Sequence, residues 1–90
     1  MNKETILTRD ENVTYQTIDG ESILVVPNSG KFFTLNQVGS ELWGMLDGQK
    51  TIADHATIIA NKYQIELDTA INDILKLAQH LKSENLINLQ

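Results

Sequence analysis

The ninety-residue sequence predicts an α+β domain of the winged helix-turn-helix-like type, in which a three-stranded antiparallel sheet precedes three helices. Short segments rich in β-branched and aromatic residues, separated by turn residues, fill the first part of the chain. Apolar residues spaced by three and four fill the second part. Between them, the apolar segment 31–35 runs directly into Asn36, whose side chain can cap a helix. The other elements are organised around this strand-to-helix junction.

Three strands are predicted, at about 13–18, 22–26 and 31–35. Asp19-Gly20 supplies the positive φ angles of a two-residue hairpin turn. That turn sets the register, so Thr17 pairs with Ser22 and Tyr15 pairs with Leu24. The third strand then returns antiparallel beside the second.

One face of this sheet is assigned to the core because its residues are apolar, namely Val13, Tyr15, Leu24, Val26, Phe33 and Leu35. The opposite face carries both polar and apolar residues, and Phe32 is the aromatic residue that we most expect to be partly exposed. An alternative, that Phe32 packs under the N-terminal segment, stays open. Residues 1–12 are mostly polar and are predicted to form a loosely ordered lead-in to a single domain, 13–90.

The three helices are predicted at about 37–46, 52–63 and 68–84. Gly48 is expected to end the first helix, and Thr51 with Asp54 resembles a capping box that opens the second. Asp68 can cap the third, with Asn85 as its left-handed terminator. The apolar arc of the third helix is wider than one packing surface requires. Packing against both other helices explains it most simply, and a further binding surface is the alternative.

Composition excludes several classes of function. The chain has no cysteine, which excludes disulfides, thiolate metal sites and cysteine nucleophiles and suits the cytoplasm. Its formal charge of −5 opposes binding to nucleic acid or anionic lipid. Because the apolar runs are short, we expect neither a signal peptide nor a membrane span.

No catalytic constellation is recognisable in the sequence. His55 and His80 are both expected to be solvated residues on helix surfaces rather than metal ligands. None of the common hydrolase, metalloprotease or phosphate-binding motifs is present. The sequence therefore predicts a protein that is not an enzyme and that needs no cofactor or metal.

Two binding functions are compatible with this fold. A winged-helix DNA-binding regulator would read DNA with the helix 68–84, but that helix balances Lys76 and Lys82 against three acidic residues and lacks arginine. A peptide-binding module is favoured instead, because the third strand has an unpartnered edge beside a helix with surplus apolar surface.

The run from Gly30 to Gly48 carries a family resemblance. It reads Gly-Lys-aromatic-Phe-x-Leu-Asn-x-x-Gly-x-x-x-Trp-x-x-Leu-Asp-Gly and is followed by Thr-Ile-Ala-Asp at 51–54. This pattern resembles the PqqD-like family, the leader-peptide-binding domains, or recognition elements, of ribosomal peptide (RiPP) biosynthesis. The resemblance extends from about Val13 to Ile87.

The resemblance implies that the leader of a precursor peptide adds as a strand to the third strand and lies against the third helix. Transferred to this sequence, the peptide-binding residues are Lys31, Phe32, Phe33, Thr34, Leu35, Ala70, Asp73, Ile74, Leu77 and Leu81. The chain looks like a stand-alone member that delivers its peptide to a separate maturation enzyme, such as a leader peptidase or a radical enzyme. The turn 26–30 departs from the quinone-cofactor members, which favours a lasso-type peptide. An unpaired edge also permits self-pairing, so both a monomer and a weak homodimer remain open.

Overall fold

A computed structural model describes residues 1–90 and shows three helices and two three-stranded antiparallel sheets. The strands are β1 (Ile6–Arg9), β2 (Thr14–Ile18), β3 (Glu21–Val25), β4 (Phe32–Leu35), β5 (Asp47–Thr51) and β6 (Ile87–Leu89). The helices are α1 (Gln37–Met45), α2 (Ile52–Tyr63) and α3 (Leu67–Ser83). The predicted α+β class is confirmed. No helix combines the length and the apolar character that crossing a membrane requires.

The first sheet is the meander β2-β3-β4. Thr17 pairs with Ser22 and Tyr15 with Leu24, so the predicted hairpin register is confirmed. Leu24 in turn pairs with Phe33 of β4. This alternation places Leu24, which is fully buried, on the inner face of the central strand. The inner face of the meander therefore contributes directly to the core.

The second sheet, β5-β1-β6, was not predicted, and it corrects the interpretation of residues 1–12 as a loosely ordered lead-in. β1 is its central strand, antiparallel to both neighbours, and Leu7 is only 1% exposed. The partners of β1 lie about forty and eighty positions further along the chain, and β5 is a polar segment without a strand-like apolar pattern. Pairing between such distant segments leaves no local sequence signal.

Gly48 has a different role from the predicted one. α1 ends at Leu46, whose N–H donates to the carbonyl oxygen of Trp43 at 3.3 Å. Gly48 lies inside β5 with φ of 78°, and a Cβ there would be 2.7 Å from Cγ2 of Thr8 in β1. Glycine is therefore required for β1 and β5 to approach each other.

The exposure of two aromatic residues of the first sheet can be compared with the prediction. Tyr15 differs from it and Phe32 agrees with it. Tyr15 was assigned to the core but is 47% exposed; its ring packs edge-on against the buried Trp43, with the ring centroids 5.5 Å apart. Arg9 of β1 donates to the Tyr15 hydroxyl at 3.1 Å and so joins the two sheets. Phe32 is 69% exposed, which confirms the expectation and rules out packing under the N-terminal segment.

The helix ends show which capping signals were sufficient. The capping box of Thr51 and Asp54 at the start of α2 is confirmed. The predicted cap at Asp68 is wrong: α3 begins one residue earlier, with Glu66 as an N-cap that makes no side-chain bond. Asn85 has φ of 60° and ends the helical region in the predicted left-handed conformation.

His55 contradicts the expectation of a solvated side chain. It is fully buried, and neither ring nitrogen has a hydrogen-bond partner. α2 directly follows β5, and Asp47 and Lys50 of that strand are near enough for their charges to act on the imidazole. Burial lowers the pKa of His55 below its ordinary value because the charged imidazolium loses its hydration. His80 is exposed, as expected.

The burial of His55 predicts an acid-sensitive fold. The native state holds the imidazole neutral, whereas the unfolded state binds a proton below about pH 6.5. Stability is therefore present above that pH and is lost as the pH falls below it. The midpoint of urea unfolding should decrease between pH 7.5 and 5.5 for the wild type and for His80→Gln. In His55→Leu the urea midpoint should change much less with pH. An equally steep decrease in that variant would contradict the assignment of the pH dependence to His55.

The central position of β1 predicts that its side chains are needed for stability. Leu7→Ala should lower the free energy of unfolding by about 2 to 5 kcal/mol, because it leaves a cavity between sheet and helices. Leu67→Ala removes the same atoms from a 46% exposed site, and it should change the free energy of unfolding by less than about 0.5 kcal/mol. Urea denaturation measures both, and equal small effects would mean that residues 1–12 do not contribute to the core.

Candidate functional site

A cleft of about 660 Å³ opens between β4, the start of α1 and α3. Nine of its thirteen lining residues are hydrophobic, so it suits apolar side chains rather than a charged metabolite. The lining comprises Phe33, Thr34, Leu35, Asn36, Val38, Gly39, Leu42, Ile59, Ile65, Ala70, Asp73, Ile74 and Leu77. All three helices and one strand thus contribute to it.

The strand-to-helix junction shapes one wall of this cleft. Asn36 is the N-cap of α1, and its Oδ1 accepts a hydrogen bond from the Gly39 N–H at 2.8 Å. A Cβ on Gly39 would lie 3.3 Å from both Asn36 Oδ1 and Leu35 Cδ2. The small residue therefore lets the first turn of α1 sit directly against the end of β4.

β4 is an edge strand. It pairs with β3 on one side and has no strand neighbour on the other. An edge strand leaves alternate N–H and C=O groups available for another extended chain. On β4 these groups lie beside the apolar cleft, so backbone pairing and side-chain burial are possible for the same ligand.

Residues on one face of α3 line two clefts together with residues of β4. Ala70, Asp73, Ile74 and Leu77, spaced by three and four, line the apolar cleft. A second, more polar cleft of about 410 Å³ continues toward the start of the strand and is lined by Lys31, Phe32, Phe33, Thr34, His80 and Glu84. The two clefts share Phe33 and Thr34, and together we call them the β4–α3 groove.

The His80 ring covers one part of this groove. It packs edge-on against Phe33 with the ring centroids 4.8 Å apart. His80 is exposed, as expected, and this ring contact was not predicted. The contact holds the C-terminal half of α3 close to β4.

Most of the predicted binding residues come together in the groove. Seven of the ten line the apolar cleft: Phe33, Thr34, Leu35, Ala70, Asp73, Ile74 and Leu77. Lys31 and Phe32 line only the polar cleft. Leu81 lines neither cleft, since it is 1% exposed and belongs to the core. The prediction of Leu81 as a binding residue is therefore corrected. The wide apolar arc of α3 contributes to both the core and the groove.

The sequence analysis missed the contributions of α1 and α2. Val38, Gly39 and Leu42 form one wall, and Ile59 and Ile65 lie at the cleft's base. The apolar spacing of Val38 and Leu42 directly after the β4 strand was a usable signal for the first group. No comparable signal marks Ile59 and Ile65, because their contribution depends on how α2 packs against α3.

A charged cluster ties α1 to α2 behind the groove. Glu41 forms an ion pair with Lys62 and accepts a hydrogen bond from the Tyr63 hydroxyl at 2.7 Å. The hydrogen bonds from Lys62 and Tyr63 lower the pKa of Glu41, and the bond to Glu41 raises the pKa of both partners. All three groups therefore keep their ordinary charge states near neutral pH. No group of three His, Cys, Asp or Glu side chains is placed to hold a metal ion.

The fold and groove define a small α+β domain with an open strand edge beside an apolar helix. Residues 21–87 match the family described as Coenzyme PQQ synthesis protein D (PqqD). Since this match covers most of the chain, the protein belongs to the PqqD family, which confirms the resemblance found in the sequence. Comparison with curated protein sequences gives no significant match.

Three solved structures share the fold. TbiB1 in complex with the TbiA(beta) leader peptide is 25% identical, with a TM-score of 0.81 over 90% of this chain and 94% of that one. Lasso peptide synthetase B1 complexed with the leader peptide is 24% identical, with a TM-score of 0.78 over 94% and 98%. The PqqD truncation of Methylobacterium extorquens PqqCD, described as a RiPP recognition element, is 18% identical, with a TM-score of 0.77 over 92% and 88%.

The junction at Asn36 predicts a measurable contribution to stability. Asn36→Ala removes the acceptor for the Gly39 N–H and should lower the free energy of unfolding by about 1 kcal/mol. Asn36→Asp keeps a capping oxygen and should stay within about 0.5 kcal/mol of the wild type. Urea denaturation distinguishes the two variants, and equal stability of all three proteins would mean that the cap does not hold α1 against β4.

Proposed function

We propose that this protein binds the leader segment of a ribosomally synthesised precursor peptide as an additional strand on β4, against α3, and presents it to a maturation enzyme. The observation that carries this proposal is the open edge of β4 beside an apolar cleft. Neither feature alone is specific. Their juxtaposition is what recognition of an extended peptide requires.

The groove divides recognition into two parts. The backbone of residues 31–35 supplies hydrogen bonds that are insensitive to the peptide sequence. Apolar side chains on alternate positions of the peptide then enter the cleft beside Phe33, Ile74 and Leu77. An interface of this small size is consistent with affinities of roughly micromolar to tens of nanomolar.

The family and its solved relatives support this proposal. The chain is a PqqD family member, and two structures with the same fold are complexes with leader peptides. The PqqD truncation is described as a functional recognition element of the same biosynthetic class. Leader recognition is therefore the function for which both the groove and the relatives argue.

The proposal assigns the chain a binding role without a catalytic step, acting in the cytoplasm where a precursor peptide is made. The bound leader would be delivered to a maturation enzyme such as a leader peptidase or a radical enzyme. DNA binding gains no support: the Ala70–Leu77 face of α3 lines the groove beside β4, and the chain is acidic, with a net charge of −5. None of the three solved structures is described as a DNA-binding protein.

The binding surface can be mapped by an isotope-edited NMR titration with a synthetic leader peptide from the neighbouring precursor gene. The largest chemical-shift changes are expected at residues 31–35 and along 70–80. The dissociation constant of the peptide should be micromolar or lower. Leu77→Glu should weaken binding at least tenfold, because a carboxylate in the apolar cleft loses its hydration when the peptide covers it. Leu67→Glu makes the same change on the same helix outside the groove and should bind normally.

Spectral dispersion of each variant reports whether it is folded. Shifts that avoid β4 and α3, or equal affinities of the two variants, would contradict the proposed groove. A control duplex DNA should leave the spectrum unchanged, and perturbation of residues 68–84 by DNA alone would favour the winged-helix alternative.

A further inference from the structure

The apolar cleft contains one ionisable side chain, the carboxylate of Asp73. It takes part in neither of the two ion pairs of the chain, which join Lys50 to Asp47 and Lys62 to Glu41. The other twelve lining residues are apolar or uncharged polar residues. In the free protein, Asp73 is exposed and its charge is hydrated.

A peptide strand on β4 changes this environment. It would cover the cleft and remove water from the carboxylate, and burying an unpaired charge is costly. The cost is offset when the ligand brings its own cation, because a desolvated opposite charge at close range restores the lost interaction. A neutral or acidic peptide would leave Asp73 without a partner. The groove therefore discriminates by charge at this point.

The polar cleft does not add a second preference of the same kind. Lys31 and Glu84 both line it, and their opposite charges balance. The net charge of −5 attracts a cationic ligand from a distance and acts in the same direction as Asp73. Charge selection is thus localised to the middle of the α3 face.

The spacing along α3 gives the position of the cation relative to an apolar residue. Asp73 and Leu77 are four residues apart, which corresponds to roughly 6 Å along a helix at 1.5 Å per residue. Side chains on one face of an added strand repeat at roughly 6.6 Å. A ligand residue facing Asp73 and one entering the cleft beside Leu77 are therefore two positions apart in the peptide.

We propose that this protein selects leader peptides in which a lysine or arginine lies two residues from an apolar residue, with the cation facing Asp73 and the apolar side chain in the cleft beside Leu77. The inference rests on the proposed function, because it specifies which peptides the groove accepts. It concerns selectivity, whereas strand addition to β4 supplies affinity that does not depend on sequence.

Selection from a displayed library of random twelve-residue peptides tests this directly. The baits are the folded wild type, Asp73→Asn, Asp73→Lys and Asp68→Asn. Asp68→Asn is the matched control, since it makes the same charge change in the exposed first turn of α3 outside the groove. Wild type and Asp68→Asn should enrich Lys or Arg two positions from an apolar residue. Asp73→Asn should lose this basic preference, and Asp73→Lys should enrich Asp or Glu instead.

A selected peptide is then synthesised in two versions, one with its basic residue and one with glutamine in its place. Their affinities for the wild type and for Asp73→Asn give the coupling energy between the basic residue and Asp73. The substitution should weaken binding to the wild type about tenfold at low salt and less at high salt. It should have little effect on binding to Asp73→Asn. Apolar enrichment with no basic preference in the wild type would overturn this inference and leave the proposed function intact. No enrichment with any bait would contradict the proposed function itself.

Discussion

The organisation of this protein depends on one short junction, where β4 passes into α1 through the cap of Asn36. The side-chain oxygen of that residue satisfies the Gly39 N–H, and Gly39 has no side chain to separate the helix from the strand. A longer connection would let α1 drift away from β4. Because the short connection keeps α1 beside β4, the strand edge, the first turn of α1 and one face of α3 line the same cleft. The same junction that ends the meander thus creates the candidate site.

The second sheet is the structural support for this arrangement. It joins residues from both ends of the chain, with β1 between β5 and β6, and the side chains of Leu7 in β1 and Ile87 in β6 are buried. Neither the meander nor the helices alone would bury these side chains. β4, in contrast, retains a free edge. The fold pairs β1 with a strand on each side and leaves one edge of β4 unpaired, which is the asymmetry expected of a domain that recognises extended chains.

Local chemistry determined which features the sequence could predict. The hairpin at Asp19-Gly20, the capping box at Thr51 and the left-handed Asn85 each depend on residues within a few positions, and all three are present. β1 and β5 depend on partners far away in the sequence and were missed. His55 was misassigned for a related reason, since its burial depends on tertiary packing that the local helical pattern does not report.

The candidate site shows the same division between local and distant information. The free edge of β4 was predicted from the order of the strands, whereas Ala70, Asp73 and Leu77 were assigned to the groove by the family resemblance. Leu81 was assigned to the groove by the same resemblance, yet it belongs to the core. A wide apolar arc records how much of a helix is covered but not by which neighbour. Only the position of α3 relative to β4 separates the two.

In the proposed complex with a leader peptide, affinity and selectivity would be carried by different parts of the β4–α3 groove. The edge of β4 offers the same backbone groups to any extended peptide, so it cannot distinguish one leader from another. The apolar cleft distinguishes by size and hydrophobicity, but a cleft lined mainly by aliphatic side chains accepts many residues. A single carboxylate within such a surface adds a criterion that hydrophobicity lacks, because its desolvation penalises every ligand without a cation. In the proposed complex, Asp73 would therefore supply selectivity through the unfavourable energy of the wrong peptide more than through the favourable energy of the right one.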